Sequence, residues 1–400
     1  MCVQPSAPNT DSSDLSSARR PQFDEPTTRV KMLPGIPQTI RRPALVPTLP
    51  RLLIVSDTLP PDPNGIALIA VRTAEILARR ATVHVVGPNG SSAPPGVCYT
   101  GAARLPVGTP DVHIPRPLLR SMSDAVSAAD RVVIHTLGPL GCAALYYARR
   151  QRKHVTLFMH NDYPALLRYG LPRTAAAPVV NWLAQRVERW AQERASRIVV
   201  PLDARSNGYE VLRLDPPRYT GWASPGLDNS RLTVAYHGRV SREKSVDITV
   251  RAIHAADPDH TRLRFRIIGD GSQLWTTLRL AEVLGVPVEH VPWCTDPRPA
   301  LCGAQIYVTA SRIETFSMTT LEALGCGLPL IARGVGQISN YVQHGVNGLL
   351  FQSDDQLAGL LAGLAGDRDA RLRLSSAARG RAVDDSLWEQ FADASWRTCR

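Results

Sequence analysis

Two glutamates eight residues apart, Glu314 and Glu322, are the side chains whose spacing points most directly to ligand binding. The residues between them predict a loop that leads into a helix over Thr319–Cys326. Carboxylates placed this way could hold two ends of one polyol, while the N–H groups at the helix start would face an anion. The competing interpretation is one glutamate that favours the helix dipole and a second one in solvent.

A cationic pair occupies another loop. Arg239 and Lys244 lie five residues apart, directly after an apolar run that predicts a strand. A guanidinium fork and an ammonium point charge can converge on a diphosphate. Solvated charges on a surface loop are the alternative. A third loop, residues 60–65, ends in Gly65 at a predicted helix start, where it would admit a phosphate to backbone N–H groups or form a plain turn.

These loops are positioned by strands that alternate with helices in two series. The first series begins at residues 52–55 and the second at residues 232–236, with apolar runs as short as buried strands. Alternation of this kind predicts two parallel sheets with helices on both faces. Ligands of such α/β domains bind beyond the carboxyl ends of the strands, so we expect the site in the cleft between the domains.

Composition sets the domain boundaries. The chain has 400 residues, 44% hydrophobic and 20% charged, which suits a globular protein of two domains. Residues 1–50 are rich in Pro, Ser and Thr and are expected to be a disordered extension. Residues 51–225 then form the first domain and residues 226–385 the second.

Other features exclude whole classes of protein. No apolar run is long enough for a transmembrane helix, and no signal-peptide core is present, so a cytoplasmic protein is expected. The 7 cysteines are scattered without zinc-site spacing and are predicted to be reduced thiols. Of the net charge of +11, an excess of nine positive charges falls within residues 51–225. Such a surface suits an anionic membrane, nucleic acid or a phosphorylated substrate.

The motifs, taken in order, resemble retaining glycosyltransferases of family 4, which have the GT-B fold. In that fold two Rossmann-like α/β domains face each other across a cleft. The element from Glu314 to Glu322 carries the resemblance most strongly. The resemblance as a whole covers residues 51–400. Segments that agree in the same order are 52–65, 135–145, 159–162, 225–228, 238–247, 267–271, 323–329 and 346–350.

The resemblance implies a sugar nucleotide bound in the cleft, mostly on the second domain. Arg239 and Lys244 would hold its diphosphate, and Glu322 would accept hydrogen bonds from the ribose hydroxyls. Glu314 and His160 would be the catalytic residues, with His160 reaching the sugar from the first domain. The donor site would be completed by backbone or side-chain groups of Gly65, Ser317, Met318 and Thr319. No metal and no other cofactor is implied.

It also implies that a last helix, over residues 386–400, crosses back to pack on the first domain, with Trp388 in the core. His135 and His237 are expected to be structural or exposed. Three residues stand where the family usually has glycine: Asn64, Ser245 and Ser317. We expect Asn64 to supply the positive φ that glycine would adopt.

The substrates are weakly encoded. The basic stretch Arg104–Arg120 and the positive charge of the first domain suggest a surface that faces an anionic membrane. We therefore expect a lipid-linked or cell-envelope glycan acceptor and peripheral attachment to the inner face of the plasma membrane. By analogy within the family this favours a hexosyltransferase that uses GDP-mannose. The alternatives are a UDP-sugar-dependent transferase with a soluble acceptor, a GT-B enzyme of other chemistry such as an epimerase, and a non-catalytic basic module. No nucleic acid partner is expected.

Overall fold

The computed structural model describes residues 49–400 apart from several short segments. The segments left out are 63, 92, 110–111, 161–176, 202–210, 215–230, 295, 381–385 and 397–400. For residues 107–109, 112–113, 201, 211–214, 380 and 386–388 only the backbone is described. The predicted extension up to residue 48 and the predicted boundary at 225/226 therefore lie outside the described residues.

The first domain is built on a parallel sheet. Its strands are β1 (Arg51–Val55), β2 (Thr82–Pro88), β3 (Cys98–Ala102), β6 (Arg131–Ile134), β7 (His154–Phe158), β8 (Arg197–Pro201) and β9 (Val211–Leu214). Their order across the sheet is β3-β2-β1-β6-β7-β8-β9, and neighbouring strands are parallel. A separate antiparallel pair follows β3, namely β4 (Arg104–Thr109) and β5 (Val112–Pro115).

The second domain repeats this plan. Its strands are β10 (Leu232–His237), β11 (Leu263–Ile268), β12 (Val288–Val291), β13 (Ile306–Thr309), β14 (Leu330–Arg333) and β15 (Leu349–Phe351). They are parallel in the order β12-β11-β10-β13-β14-β15. In each sheet the strand order reverses beside the first strand, and α/β proteins bind ligands at that reversal.

Helices connect the strands. In the first domain they are α1 (Gly65–Leu77), α2 (Leu119–Ala128), α3 (Pro139–Arg150) and α4 (Ala177–Gln192). In the second domain they are α5 (Val246–Ala256), α6 (Leu274–Leu284), α7 (Arg298–Cys302), α8 (Met318–Gly325), α9 (Ile338–Tyr341), α10 (Asp354–Gly366) and α11 (Arg368–Gly380), and α12 (Ser386–Trp396) closes the chain. No helix in the described part of the chain is long and apolar enough to cross a bilayer.

Alternation along β1 shows why helices cover both faces of the first sheet. Leu52 and Ile54 pack in one core cluster with α1, whereas Leu53 and Val55 pack in another with α2 and α3. Successive side chains of a strand point to opposite faces, so a strand that is apolar at every position needs a cover on each side. The architecture of two parallel-sheet, Rossmann-like domains is therefore as predicted.

The last helix returns to the first domain, as predicted. α12 packs against α1, and Arg80 donates a hydrogen bond to Asp393 across 2.6 Å. Phe391 lies fully buried with its ring centroid 6.0 Å from that of Phe158 and 5.7 Å from that of Phe316. One side chain of α12 thus contacts both domains. The side chain of Trp388 lies outside the described residues.

Several elements escaped the sequence analysis. It predicted neither the edge strands β3, β9 and β15, nor the β4–β5 pair, nor the helices α2, α7 and α9. The strand β3 shows the reason, because its sequence Cys-Tyr-Thr-Gly-Ala buries only Ala102. An edge strand with one buried residue has almost no apolar pattern and forms because β2 offers it a hydrogen-bonding edge.

Candidate active site

A cleft of about 410 Å³ lies where loops from the carboxyl ends of both sheets meet. This volume is typical of a small-molecule site. All nine residues that the sequence analysis assigned to catalysis or donor binding line it: Gly65, His160, Arg239, Lys244, Glu314, Ser317, Met318, Thr319 and Glu322. The tertiary structure thus brings together residues that are up to 257 positions apart in the chain, from Gly65 to Glu322.

Lys244 and Glu314 form an ion pair on the second-domain wall. The Nζ atom of Lys244 lies 2.7 Å from Oε1 of Glu314, and their side chains are 21% and 8% exposed. Lys244 ends a single 3₁₀ turn after β10, and Ser245 then adopts a left-handed φ of 50°. That backbone angle explains why glycine suits position 245 and shows that serine occupies it under strain.

Arg239 is oriented by a glutamate to which the sequence analysis gave no role. Its guanidinium lies 2.9 Å from Oε1 of Glu243, and the same oxygen accepts a hydrogen bond from the Ser241 hydroxyl at 2.6 Å. Burial raises the pKa of Glu243, but Arg239 and the Ser241 hydroxyl outweigh this effect and leave the pKa below its usual value. The ionised Glu243 therefore holds the cation at the cleft wall.

His237, which was expected to be structural or exposed, is buried and also lines the cleft. It ends β10, lines the cleft, and has its Nδ1 atom 3.0 Å from Oε2 of Glu322. The geometry is not that of a hydrogen bond, so these two atoms, and Nε2 of His237, have no hydrogen-bond partner within the described residues. Buried polar atoms without partners are costly, and hydroxyl groups of a ligand would satisfy them. A histidine at the carboxyl end of a strand, before Gly238 and Arg239, was the available signal.

His160 enters the cleft from the first domain, two residues after the end of β7. Its Nε2 atom shares a 3.0 Å hydrogen bond with Nδ1 of His135, and both rings stack in a series with Phe158. Burial lowers the pKa of His160 to about 3, because a charged imidazolium would lose its hydration. His160 is therefore neutral at physiological pH. Residues 161–162 of this motif lie outside the described residues.

Gly65 lies in the cleft where the first domain closely approaches Met318 of the second domain. A Cβ atom at this position would lie 2.8 Å from Cγ of Met318, closer than packed carbon atoms allow. Asn64 beside it has an extended φ of −151°, and its side chain accepts a hydrogen bond from the N–H of Ala67. The expectation of a positive φ at Asn64 was thus wrong. The residue replaces glycine as the cap of α1.

The start of α8 faces the cleft with little local capping. Ser317, Met318 and Thr319 line the cleft, and the Ser317 side chain makes no capping hydrogen bond to the helix. Ser317 has a left-handed φ of 50°, which explains why glycine is favourable at this position as well. The first N–H groups of a helix carry positive partial charge, so this end of α8 suits an anion.

The prediction that Arg104 contributes an exposed positive charge to a basic surface is wrong, because Arg104 is paired with an acidic residue. Its guanidinium lies 2.8 Å from a carboxylate oxygen of Asp62, and both side chains are largely buried. Asp62 lines the cleft in the loop after β1. Arg104 therefore neutralises the cleft margin instead of facing solvent, whereas Arg116 and Arg120 are exposed.

Comparison with known proteins gives a family match within the second domain. Residues 231–367 match the family described as glycosyl transferases group 1. Among curated relatives, the alpha-maltose-1-phosphate synthase of Mycolicibacterium smegmatis is 28% identical, with 57% of this chain and 73% of that protein covered. A D-inositol 3-phosphate glycosyltransferase of Nocardia farcinica is 30% identical, with 53% and 51% covered. The chain thus spans about three quarters of the first relative and about half of the second.

Solved structures share the fold. Anabaena Alr3699/HepE, in complex with UDP-glucose, has a TM-score of 0.67 at 18% identity, covering 86% of this chain and 98% of that one. WaaG, a glycosyltransferase involved in lipopolysaccharide biosynthesis, has a TM-score of 0.66 at 18% identity, covering 86% and 99%. At this identity the likeness shows the GT-B architecture and leaves the substrates open.

Proposed function

We propose, from the match of residues 231–367 to the group 1 glycosyltransferase family, that this protein transfers a hexose from a nucleotide-diphosphate sugar to an acceptor. We propose further that it belongs to the retaining enzymes of family 4. The observation that carries the proposal is the convergence of all nine predicted residues, from both domains, on one cleft. Surface charges on separate loops, which were the alternative interpretation, would not be expected to converge in this way.

The charged side chains suit a leaving diphosphate. Arg239 and Lys244 lie in one loop on the cleft wall, each held by a buried carboxylate, at 2.9 Å and 2.7 Å respectively. Cations fixed in advance stabilise the negative charge that develops on the diphosphate as the bond to the sugar breaks. The N–H groups at the start of α8 add positive potential at the same wall.

The carboxylates suit hydroxyl-rich groups. In the proposal the unpartnered Oε2 of Glu322 accepts a hydrogen bond from a ribose hydroxyl, and Glu314 accepts one from the transferred sugar. Glu314 is held by Lys244 and takes the role of orienting the sugar, with no attack on the anomeric carbon. The departing phosphate oxygen then accepts the proton of the attacking acceptor hydroxyl, and retention follows from attack on the same face. Neutral His160 hydrogen-bonds the sugar from the opposite domain.

Our first candidate donor is GDP-mannose, and our first candidate acceptor is a lipid-linked or cell-envelope glycan, on the strength of the basic first domain. A UDP-sugar is the second candidate donor, because a structure with the same fold holds UDP-glucose. We also propose that the reaction needs no metal, since Arg239 and Lys244 supply the positive charge.

A thermal-shift panel with GDP, UDP, ADP and CMP tests the proposal. A nucleotide at about 100 times its dissociation constant adds roughly 2.7 kcal/mol to the stability of the folded state. We expect GDP, or else UDP, to raise the melting temperature of the wild type and to lose this effect in E322A. EDTA should leave the shift and the transfer rate unchanged. Absence of a shift with every nucleotide would contradict the donor site, and product formed without an acceptor would indicate an epimerase.

A further inference from the structure

The three helices on one face of the first sheet carry an exposed apolar surface. α2, α3 and α4 share one core cluster, on the face opposite α1 and α12. Twelve large apolar side chains are exposed within the described residues, and six of them lie on these three helices: Leu119, Tyr146, Val179, Trp182, Leu183 and Val187. Apolar groups concentrated on one surface mark an interaction site more often than apolar groups scattered singly.

The helix α4 has the strongest pattern. Val179, Trp182, Leu183 and Val187 are 57%, 54%, 49% and 37% exposed, and their spacing places them on one side of the helix. Only Ala191 of α4 is fully buried. A helix that shows solvent its bulky apolar residues and packs a small one against its own domain presents an apolar face to something outside the chain.

Arginines accompany the exposed aromatic rings. The guanidinium of Arg186 lies 5.0 Å from the ring centre of Trp182, and that of Arg150 lies 5.7 Å from the ring centre of Tyr146. Five arginines and two acidic residues lie on the three helices: Arg120, Arg149, Arg150, Arg186 and Arg189, with Asp124 and Glu188. The surface therefore combines apolar groups with net positive charge.

The connectivity places this surface beside the cleft. β7 ends next to His160 of the cleft, and α4 is the helix that leads from β7 back to the parallel strand β8. Its first turns, with Val179, Trp182 and Leu183, consequently lie toward the end of the sheet where the strands enter the cleft. A partner bound to this surface would lie near the cleft mouth.

We infer that this surface, formed by α2, α3 and α4, docks on a lipid bilayer that contains anionic headgroups. Exposed Trp and Leu residues suit the boundary between headgroups and acyl chains, and arginines beside them suit lipid phosphates. A second copy of the chain would bring like charges together. A nucleic acid would leave the exposed aliphatic side chains of α4 without an apolar partner. The inference rests on exposure and charge, and it stands whether or not the proposed donor is correct.

Vesicle flotation of the full chain without sugar nucleotide tests the inference. We expect binding to equimolar phosphatidylglycerol and phosphatidylcholine, and binding at least about tenfold weaker to phosphatidylcholine alone. The double variant W182E/L183E and the double variant R186Q/R189Q should each weaken binding to the anionic vesicles about tenfold or more. W275E is the matched control, because Trp275 on the second domain is 77% exposed and outside the surface.

The outcomes separate the alternatives. Equal weakening by W275E, or no vesicle binding by the wild type, overturns the inference. A wild-type dimer that W182E/L183E disperses, without vesicle binding, overturns it in favour of self-association. Melting curves establish folding, and the arginine variant decides the result if W182E/L183E does not fold. Because nucleotide thermal shifts are measured separately, a wild type that shows these shifts but binds no vesicles refutes this surface and leaves the proposed function standing.

Discussion

The ammonium group of Lys244 donates a 2.7 Å hydrogen bond to Oε1 of Glu314, which joins two loops 70 residues apart in the chain. The two loops follow β10 and β13, which are neighbours in the second sheet. The pair therefore fixes both charges at one point of the cleft wall before any ligand binds. Fixed charges of this kind stabilise a transition state without the cost of reorienting them during the reaction.

Removing either partner should abolish transfer while the fold is retained. In K244A the buried Glu314 carboxylate loses its cation, and in E314A the diphosphate site loses the group that positions Lys244. We expect the transfer rate to fall about 100-fold or more in each, with circular dichroism unchanged. The double variant should lose little more than either single one, because the residues act together.

The matched control for this pair is E282Q. Glu282 pairs with Arg279 at 2.8 Å, but these side chains are 68% and 76% exposed, and solvent screens such a pair. E282Q should retain the wild-type rate. Near-wild-type turnover in K244A or E314A would show that the site is wrongly assigned.

Substitution of Gly65 should disturb the approach of the two domains. In G65A the new methyl group would lie 2.8 Å from Cγ of Met318, so one domain or the α8 start must shift. We expect transfer to fall about tenfold or more, since small misplacements of reacting groups are costly. M318A in the same chain should restore part of the activity by removing the clash.

G359A provides the control for a glycine change without a clash. Gly359 lies within α10, and a Cβ atom there would meet nothing within 4 Å. Alanine favours a helix interior over glycine by about 1 kcal/mol, so G359A should raise the melting temperature and leave transfer unchanged. Equal activity losses in G65A and G359A would mean that the Met318 contact is not the cause.

The buried histidine of the cleft should make stability depend on pH. The pKa of His160 is about 3 in the folded state, well below its ordinary value of 6.5, because of burial. Between pH 3 and pH 6.5 this histidine is protonated in the unfolded chain but stays neutral in the folded chain. The stabilising contribution is therefore complete above about pH 6.5 and is lost as the pH falls toward 3.

Urea unfolding at pH 7, 6 and 5 measures this effect. One such histidine changes the unfolding free energy by up to about 1.4 kcal/mol per pH unit. Burial lowers the pKa of His135 as well, so the wild type should have a steeper slope than a single site gives. H160Q should reduce the slope of the unfolding free energy against pH by the contribution of one histidine. An unchanged slope in H160Q would show that the imidazole is not kept neutral by burial.

The cysteines near the cleft should be dispensable for chemistry. Cys294 lines the cleft, and burial is the largest cause that raises its pKa, so it is a neutral thiol at physiological pH. C294S should keep the transfer rate within about twofold, because a poorly ionised thiol is a weak nucleophile. A large loss of transfer in C294S, with donor binding intact, would assign the thiol a role in the reaction.

Much of the second domain could be predicted from sequence. Most of its strands are short apolar runs bounded by loops, and the first of them, Leu232–His237, lies where the sequence predicts the second series to begin. The charged motifs lie directly after strands, so their place at the cleft follows from the parallel topology. This is local information, carried by patterns of a few residues.

Most of the elements, and the charged groups at their ends, could be read from local sequence patterns. The pairing of these groups depends on the three-dimensional fold: Lys244 meets Glu314, Arg239 meets Glu243, and His237 lies beside Glu322. The fold also removed Arg104 from the exposed basic surface by pairing it with Asp62, and it brought Phe391 between the two domains. Such contacts depend on strand order and helix packing, which bring together residues far apart in the chain. No local pattern of apolar or charged residues specifies them.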